Sequence, residues 1–304
     1  MGSEVLETPR GYRLRRTLGV YRMGGGDPTL HLSGRNVGWA LSTPEGPVTL
    51  QAEHTPAEHT PGRLRVCLEG AGAQWMGPKL PGLFGLLDDP TQFAPSDPVM
   101  RGVWKRSLGL HLPRLPTVFH RLMQVILLQL VTTADGNRAW SRIVRAFGNQ
   151  APGDRTLMIP PTSEVMTGIP WYRYVADGVP HRQARALAMS ARKATEIEQA
   201  AATGIETLSE YLRALPGIGP WTVGYLTGTA MADADAVLLG DYHLPHTATW
   251  VLRKQARGTD QDFLELLEPY RGNRFRIIRA LWASGVKAPR YGPKRAPRPL
   301  YRER

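Results

Sequence analysis

Leu215-Pro216-Gly217-Ile218-Gly219-Pro220-Trp221-Thr222 is the stretch that decides how this chain is built, and Leu239-Gly240-Asp241-Tyr242 follows it about one helix later. A helical pattern from Thr207 to Leu215 runs into the octet, so its glycines form a hairpin between two helices. Gly217 and Gly219 allow positive φ and leave room for a phosphate, which the N–H groups of the following helix start can bind. Any tight turn between helices also favours glycine, so the hairpin alone states only that backbone N–H groups are presented. The aspartate downstream adds a carboxylate that can do chemistry beside such a phosphate.

A formal net charge of +12 and a pI near 10.2 make the surface attractive to polyanions. Nucleic acid is the natural partner and an anionic membrane the rival. No apolar run reaches the roughly 18 residues of a membrane span, and the N-terminus lacks a signal-peptide core. The expectation is a soluble cytoplasmic protein, nucleoid-associated in a bacterium, with no membrane partner. The single cysteine, Cys67, excludes a disulfide framework and a cysteine-held zinc or iron–sulfur cluster. At 304 residues the chain has room for two domains of about 100 to 200 residues each.

The first hundred residues read as strands and turns. Tyr12 to Arg15, Val37 to Leu41, Val48 to Ala52 and Leu64 to Leu68 are short alternating or apolar runs, and Thr43-Pro44-Glu45-Gly46-Pro47 is a hairpin loop between two of them. An antiparallel sheet is expected over 1–96. Ala52 to Pro61 is Ala-Glu-His-Thr-Pro written twice and reads as a solvent loop, with His54 and His59 as loop residues rather than metal ligands. From Asp97 helices are expected, over 97–285. Phe119 to Val131 is apolar on nearly every face and predicts a central buried helix with Gln129 near its end. Helices follow at Asn137 to Phe147, Arg182 to Thr203, Thr207 to Leu215, Thr247 to Arg257, Gln261 to Leu267 and Asn273 to Ser284. The tail over 286–304 is basic and proline-rich, and reads as an extended arm that adds affinity for a polyanion or as a plain solvated tail.

Helix, glycine hairpin, helix and downstream aspartate, over Leu215 to Asp241, resemble the signature of the HhH-GPD superfamily of DNA glycosylases, and within it the 3-methyladenine DNA glycosylase II branch. The resemblance covers about Leu86 to Ser284 and extends more faintly over the sheet region. It implies a mainly α fold, the helical glycosylase domain, preceded by a small antiparallel α+β domain similar to half of the TATA-binding-protein fold. It also implies double-stranded DNA with damaged bases as partner and no cofactor for catalysis; a monomer is expected, though the sequence leaves the oligomeric state open.

Carried over by position, Gly217, Ile218, Gly219 and Thr222 bind DNA, and the backbone carbonyls of Arg213, Leu215 and Ile218 hold a structural Na⁺ or K⁺. Asp241 is the catalytic carboxylate, stabilising positive charge on the deoxyribose or aligning water. Asp233 and Asp235 read as caps or loop residues. His243 and His246 lack a third ligand. Superfamily members that also nick DNA have a lysine where this chain has Trp221, so a water-using, monofunctional enzyme is implied. Trp221 and Tyr225, four apart on one helix, match the aromatic lining of the base pocket, with Trp282 as a further wall. Without the hairpin such a pair reads equally as helix core. Gln129 and Leu130 take the positions of residues that enter the DNA, Leu130 filling the stack vacated by a flipped base. Alkylated purines, cationic and good leaving groups, suit an aromatic pocket. An 8-oxoguanine-type glycosylase and a non-catalytic DNA-binding protein are the alternatives.

Overall fold

The computed structural model describes residues 2–57 and 60–289. Five strands, β1 (Gly2–Thr8), β2 (Leu30–Ser33), β3 (Asn36–Thr43), β4 (Gly46–Thr55) and β5 (Gly62–Glu69), make one antiparallel sheet in the order β1-β5-β4-β3-β2. Its register follows the alternation of the sequence. Leu64, Val66 and Leu68 of β5 are buried while Arg63 and Arg65 face outward, and they pair with His54, Ala52 and Leu50 of β4. The expected turn is present: β3 ends at Thr43, β4 starts at Gly46 with φ +109°, and Thr43 Oγ1 donates to the Gly46 carbonyl at 2.7 Å.

Two expectations fail here for physical reasons. Tyr12 to Arg15 is not a strand, because Leu14 and Leu18, one turn apart, are both buried and the chain forms helix α1 (Leu14–Leu18). Nor is the duplicated stretch all loop. Its first copy completes β4, where His54 is 4% exposed, shares a hydrogen bond with Thr8 Oγ1 at 3.1 Å and meets Tyr12 edge-on. Burial pushes the His54 pKa down. Glu58 and His59 of the second copy, and the tail from Arg290 onward, lie outside the described residues.

Helices α2 (Ala73–Met76) and α3 (Leu80–Leu83) join α1 in covering the inner face of the sheet. Next come α4 (Pro98–Lys105), α5 (Phe119–Leu127), α6 (Thr133–Phe147), α7 (Ser163–Thr167), α8 (Trp171–Ala176) and α9 (His181–Arg192). The chain continues through α10 (Ala194–Thr203), α11 (Ile205–Arg213), α12 (Pro220–Ala230), α13 (Leu244–Arg253), α14 (Asp260–Leu267) and α15 (Arg274–Ser284). The single helix expected over Arg182 to Thr203 is therefore two, broken at Lys193. The central helix also stops earlier than its composition implies, at Leu127 rather than Val131.

Two hydrophobic clusters organise these helices. One surrounds α5 and takes residues from α6 to α12; the other joins α4 to α13, α14 and α15. Helix α12 lies between them. Val223 and Leu226 face the α5 cluster, while Trp221 and Tyr225 face the other, which explains why α12 is apolar all round. The first strand-bearing region is tied to both: Tyr21 donates to the Thr229 carbonyl at 2.5 Å, and Arg276 of α15 forms a buried, two-pronged pair with Asp88.

Candidate active site

The hairpin joins α11 to α12. Gly217 adopts φ +87°, a left-handed conformation in which a β-carbon is strained, and a Cβ there would also come within 3.1 Å of the Ala186 methyl. Gly219 is different. Its backbone is extended, and a Cβ built on it would meet nothing within 4 Å, so the start of α12 opens onto free space. Pro220 occupies the first turn, where its missing N–H costs nothing, and no side chain caps the helix. An uncapped helix start with open approach is suited to an anion. Ile218 is buried under the turn, with its N–H donated to the Leu215 carbonyl at 3.2 Å, and Thr222 is buried within it, so their side chains hold the hairpin.

Gln129 fixes that hairpin to the central helix. Its Nε2 donates to the Gly217 carbonyl at 3.1 Å and to Thr222 Oγ1 at 2.8 Å, so both amide hydrogens are used internally. The expected DNA contact of Gln129 is thus given a positioning task by the fold. Its own carbonyl in turn accepts from the buried Gln183 amide, a residue that no spacing in the sequence singles out. Leu130 follows with φ +52° and 76% exposure. A leucine in this conformation is strained by about 1–3 kcal/mol, and an exposed aliphatic chain in a strained turn is a functional signature. The structure places Leu130 directly beside the hairpin and free of the core.

Asp241 sits just before α13 begins. Its Oδ1 accepts from the backbone N–H groups of His243 and Leu244, both at 2.8 Å, and its Oδ2 accepts from Trp221 Nε1 at 2.9 Å. Trp221, expected from the sequence to stand where a lysine would, is thus a donor to the carboxylate. A carboxylate offers about four acceptor positions, so Oδ2 keeps one free while Oδ1 is filled. Oδ2 is the oxygen left for a sugar or a water.

An aromatic wall adjoins it. Trp221 and Tyr225 have centroids 5.1 Å apart and Tyr225 and Trp282 5.5 Å, so all three expected pocket residues come together. Behind Tyr225 lie two buried arginines that sequence reading did not find. Arg121, 2% exposed, stands 5.2 Å from the Tyr225 centroid and 5.1 Å from that of Tyr21, and donates to Thr229 Oγ1, Gln124 Oε1 and the Val20 carbonyl. Arg279, 3% exposed, donates to the Arg16 and Thr17 carbonyls. Its Nη1 has no hydrogen-bond partner among the described residues, and burial holds its pKa below the usual guanidinium range. Neither arginine forms an ion pair among the described residues. Buried cations without a carboxylate are uncommon, and their only sequence signal was arginine inside an apolar helix.

The remaining candidates have structural tasks. Asp235 pairs with Arg274 and accepts from the Gly272 N–H at 2.6 Å, and Asp233 accepts from the Asp235 N–H at 3.0 Å. His246 Nδ1 accepts from the Gly258 N–H at 3.1 Å. No group of three or more His, Cys, Asp or Glu side chains suited to a metal occurs among the described residues. No described helix is long and apolar enough to cross a membrane.

No protein-family model matches the chain. Over 136 residues, 44% of the chain, it is 27% identical to DNA-3-methyladenine glycosylase 2 of Escherichia coli, and that match spans about half, 48%, of the relative's length. Solved structures resemble it over far more. A 3-methyladenine DNA glycosylase from Archaeoglobus fulgidus superposes with a TM-score of 0.79 at 17% identity, covering 92% of this chain and 97% of the other. An 8-oxoguanine glycosylase/lyase from Clostridium acetobutylicum superposes with a TM-score of 0.73 at 12% identity, covering 94% and 97%. Its complex with double-stranded DNA matches at a TM-score of 0.67, at 13% identity and covering 92% and 96%. With its glycine hairpin, its downstream aspartate and an N-terminal sheet ahead of the helices, the chain has the fold of these solved DNA glycosylase structures.

Proposed function

We propose that this chain is a monofunctional DNA glycosylase of base excision repair, acting as a monomer on alkylated purines of the 3-methyladenine and 7-methylguanine type flipped out of duplex DNA. The observation that carries the reading is the hydrogen bond from Trp221 Nε1 to Asp241 Oδ2. It joins an aromatic pocket wall to an oriented carboxylate and fills the lysine position with a group that cannot attack C1′. The hairpin N–H groups bind the strand's phosphate, and Leu130 fills the gap left by the extruded nucleotide. As the glycosidic bond lengthens, positive charge grows on the sugar and the Asp241 carboxylate stabilises it. Water then completes the hydrolysis, with Asp241 Oδ2 accepting its proton. A cationic N-alkylated base already leaves readily, and the faces of Trp221 and Tyr225 attract it by about 0.5–2 kcal/mol.

A sodium or potassium ion on the carbonyls of Arg213, Leu215 and Ile218 belongs to the same proposal. Neutral carbonyl oxygens around a turn suit such an ion, and Leu215's carbonyl, which accepts from the Ile218 N–H at 3.2 Å, keeps a second lone pair. The ion would supply charge that offsets phosphate repulsion by the carbonyl end of α11.

One observation favours a second reading, the excision of neutral oxidised or deaminated purines. Arg121 and Arg279 put two buried positive charges behind Tyr225, a field that repels a cationic base and stabilises one leaving as an anion. Measuring free base released from duplexes with methylated, deaminated and oxidised purines separates the readings, methylated purines ranking first under the proposal. Borohydride should trap no covalent DNA adduct. A trapped adduct, or no base released from any duplex, overturns it.

A further inference from the structure

We propose that Arg182, Arg185 and Arg192 of α9, together with Trp171, form a second site for the DNA sugar-phosphate backbone, holding the duplex arm that leaves the hairpin. The inference rests on the reading that the chain works on duplex DNA. Positions 182, 185, 189 and 192 step by three, four and three, so the three arginines and Met189 share one helix face. All three arginines are exposed, and none forms an ion pair among the described residues.

They border an open groove of about 680 Å³ that has Trp171 and His181 on it and, from the hairpin, Pro216 and Gly217. No acidic residue lines the groove. Arg185 holds its guanidinium 5.0 Å from the Trp171 centroid, and the ring keeps the cation in place over the groove. Helix α9 has no acidic residue in its first turn, and Arg182 there faces the positive end of its own helix dipole. That arrangement works against helix stability, and an incoming anion relieves it.

The groove continues the phosphate-binding surface. Gly217 packs against Ala186 in the middle of α9, and Gln183, next to Arg182, donates to the Gln129 carbonyl beside Leu130. Leu130, hairpin and arginine stripe thus follow one another on one surface. From 182 to 192 the helix rises about 15 Å, the axial length of about four phosphates on one strand. Charge, reach and continuity all suit a strand extending away from the bound hairpin phosphate.

The test compares the full chain with the triple variant Arg182→Gln, Arg185→Gln, Arg192→Gln and with the matching Arg→Lys triple. Binding to a lesion-bearing duplex of about 30 base pairs is measured against salt, and base release is measured with the DNA saturated. Each phosphate contact contributes about 0.9 to the slope of log affinity against log salt, so the Gln triple should lower that slope by about 2–3. Its affinity at low salt should fall about 10- to 100-fold, the Lys triple should restore the slope, and the rate from the saturated complex should stay unchanged. On a duplex trimmed at that arm, wild type and Gln triple should bind alike. An unchanged slope on the long duplex, or a Lys triple as weak as the Gln triple, overturns the site. If wild type releases base while the slope is unchanged, the glycosylase reading stands and the site falls. If no damaged duplex yields free base but the slope difference persists, the reading falls and the backbone site stands.

Discussion

Two helix N-termini are linked by the hydrogen bond from Trp221 to Asp241, and they are finished in opposite ways. Both follow a glycine turn and both have a proline in the first turn. At α12 the backbone N–H groups are left without a side-chain cap and Gly219 leaves the approach open. At α13 a carboxylate, Asp241, takes the first N–H groups for itself. A bare terminus attracts an anion from outside, while a capped one orients an anion of its own. Under the proposed function, the difference gives binding to one helix and chemistry to its neighbour, with Trp221, on the first, bonded to Asp241 at the start of the second.

The comparison can be broken most decisively at Asp241. Asp241→Asn keeps an acceptor for the His243 and Leu244 N–H groups but removes the charge and sets an NH2 donor against Trp221 Nε1, so base release should fall by about 10³-fold with affinity for duplex DNA nearly unchanged. Asp241→Ala should show the same kinetic loss and, in denaturant titration, a further stability loss of about 1 kcal/mol from the missing cap. A full rate for Asp241→Asn would remove the carboxylate from the chemistry.

Trp221→Phe removes the bridge between the termini and leaves an aromatic wall. Loss of a hydrogen bond to a charged group should slow single-turnover release about 10-fold, with less change in binding. Gly219→Asp turns the bare terminus into a copy of the capped one. Its extended backbone and empty Cβ position accept the side chain, so the variant should gain about 0.5–1 kcal/mol in stability while binding DNA about 10-fold more weakly. A more stable protein with undiminished affinity would show that α12's N–H groups do not meet a phosphate. The smallest effect is expected for Gln129→Ala, which frees the Gly217 carbonyl and Thr222 hydroxyl. Affinity should fall about 5-fold, read by titration of duplex DNA.

What could be read in the sequence was what lies close together along it. The hairpin and Asp241 fall within one short span and share a chemical logic, so their residues could be named from spacing. The same logic cannot find Gln183 or the pair of Arg121 and Arg279, most of whose partners lie far away: Arg279 meets a carbonyl 262 residues distant. Strand β1 went unforeseen because it is an edge strand bearing Glu4 and Glu7, with little alternation of buried positions to detect. His54 misled for the reverse reason. A tandem repeat in polar residues reads as loop, yet pairing opposite Leu64 carries its first copy into the sheet. Leu130 could be placed only through family position. Composition alone counted it with the apolar helix, and only the left-handed turn puts it outside.

The carbonyls of Arg16 and Thr17 wait for Arg279, on the last described helix, and Arg276 closes on Asp88 in the same step. Such a clasp between the two ends of the chain is a contact of very high sequence separation, and its loop-closure cost falls on folding as a whole. During synthesis the residues of the hairpin and of the Asp241 turn are made before those of α15, while the charged backing of Tyr225 and the ring of Trp282 are still to come. A nascent chain could therefore gain the means to hold DNA before it gains the means to select a base. Under the proposed function, the fold would order these competences in time, with the aromatic pocket completed last.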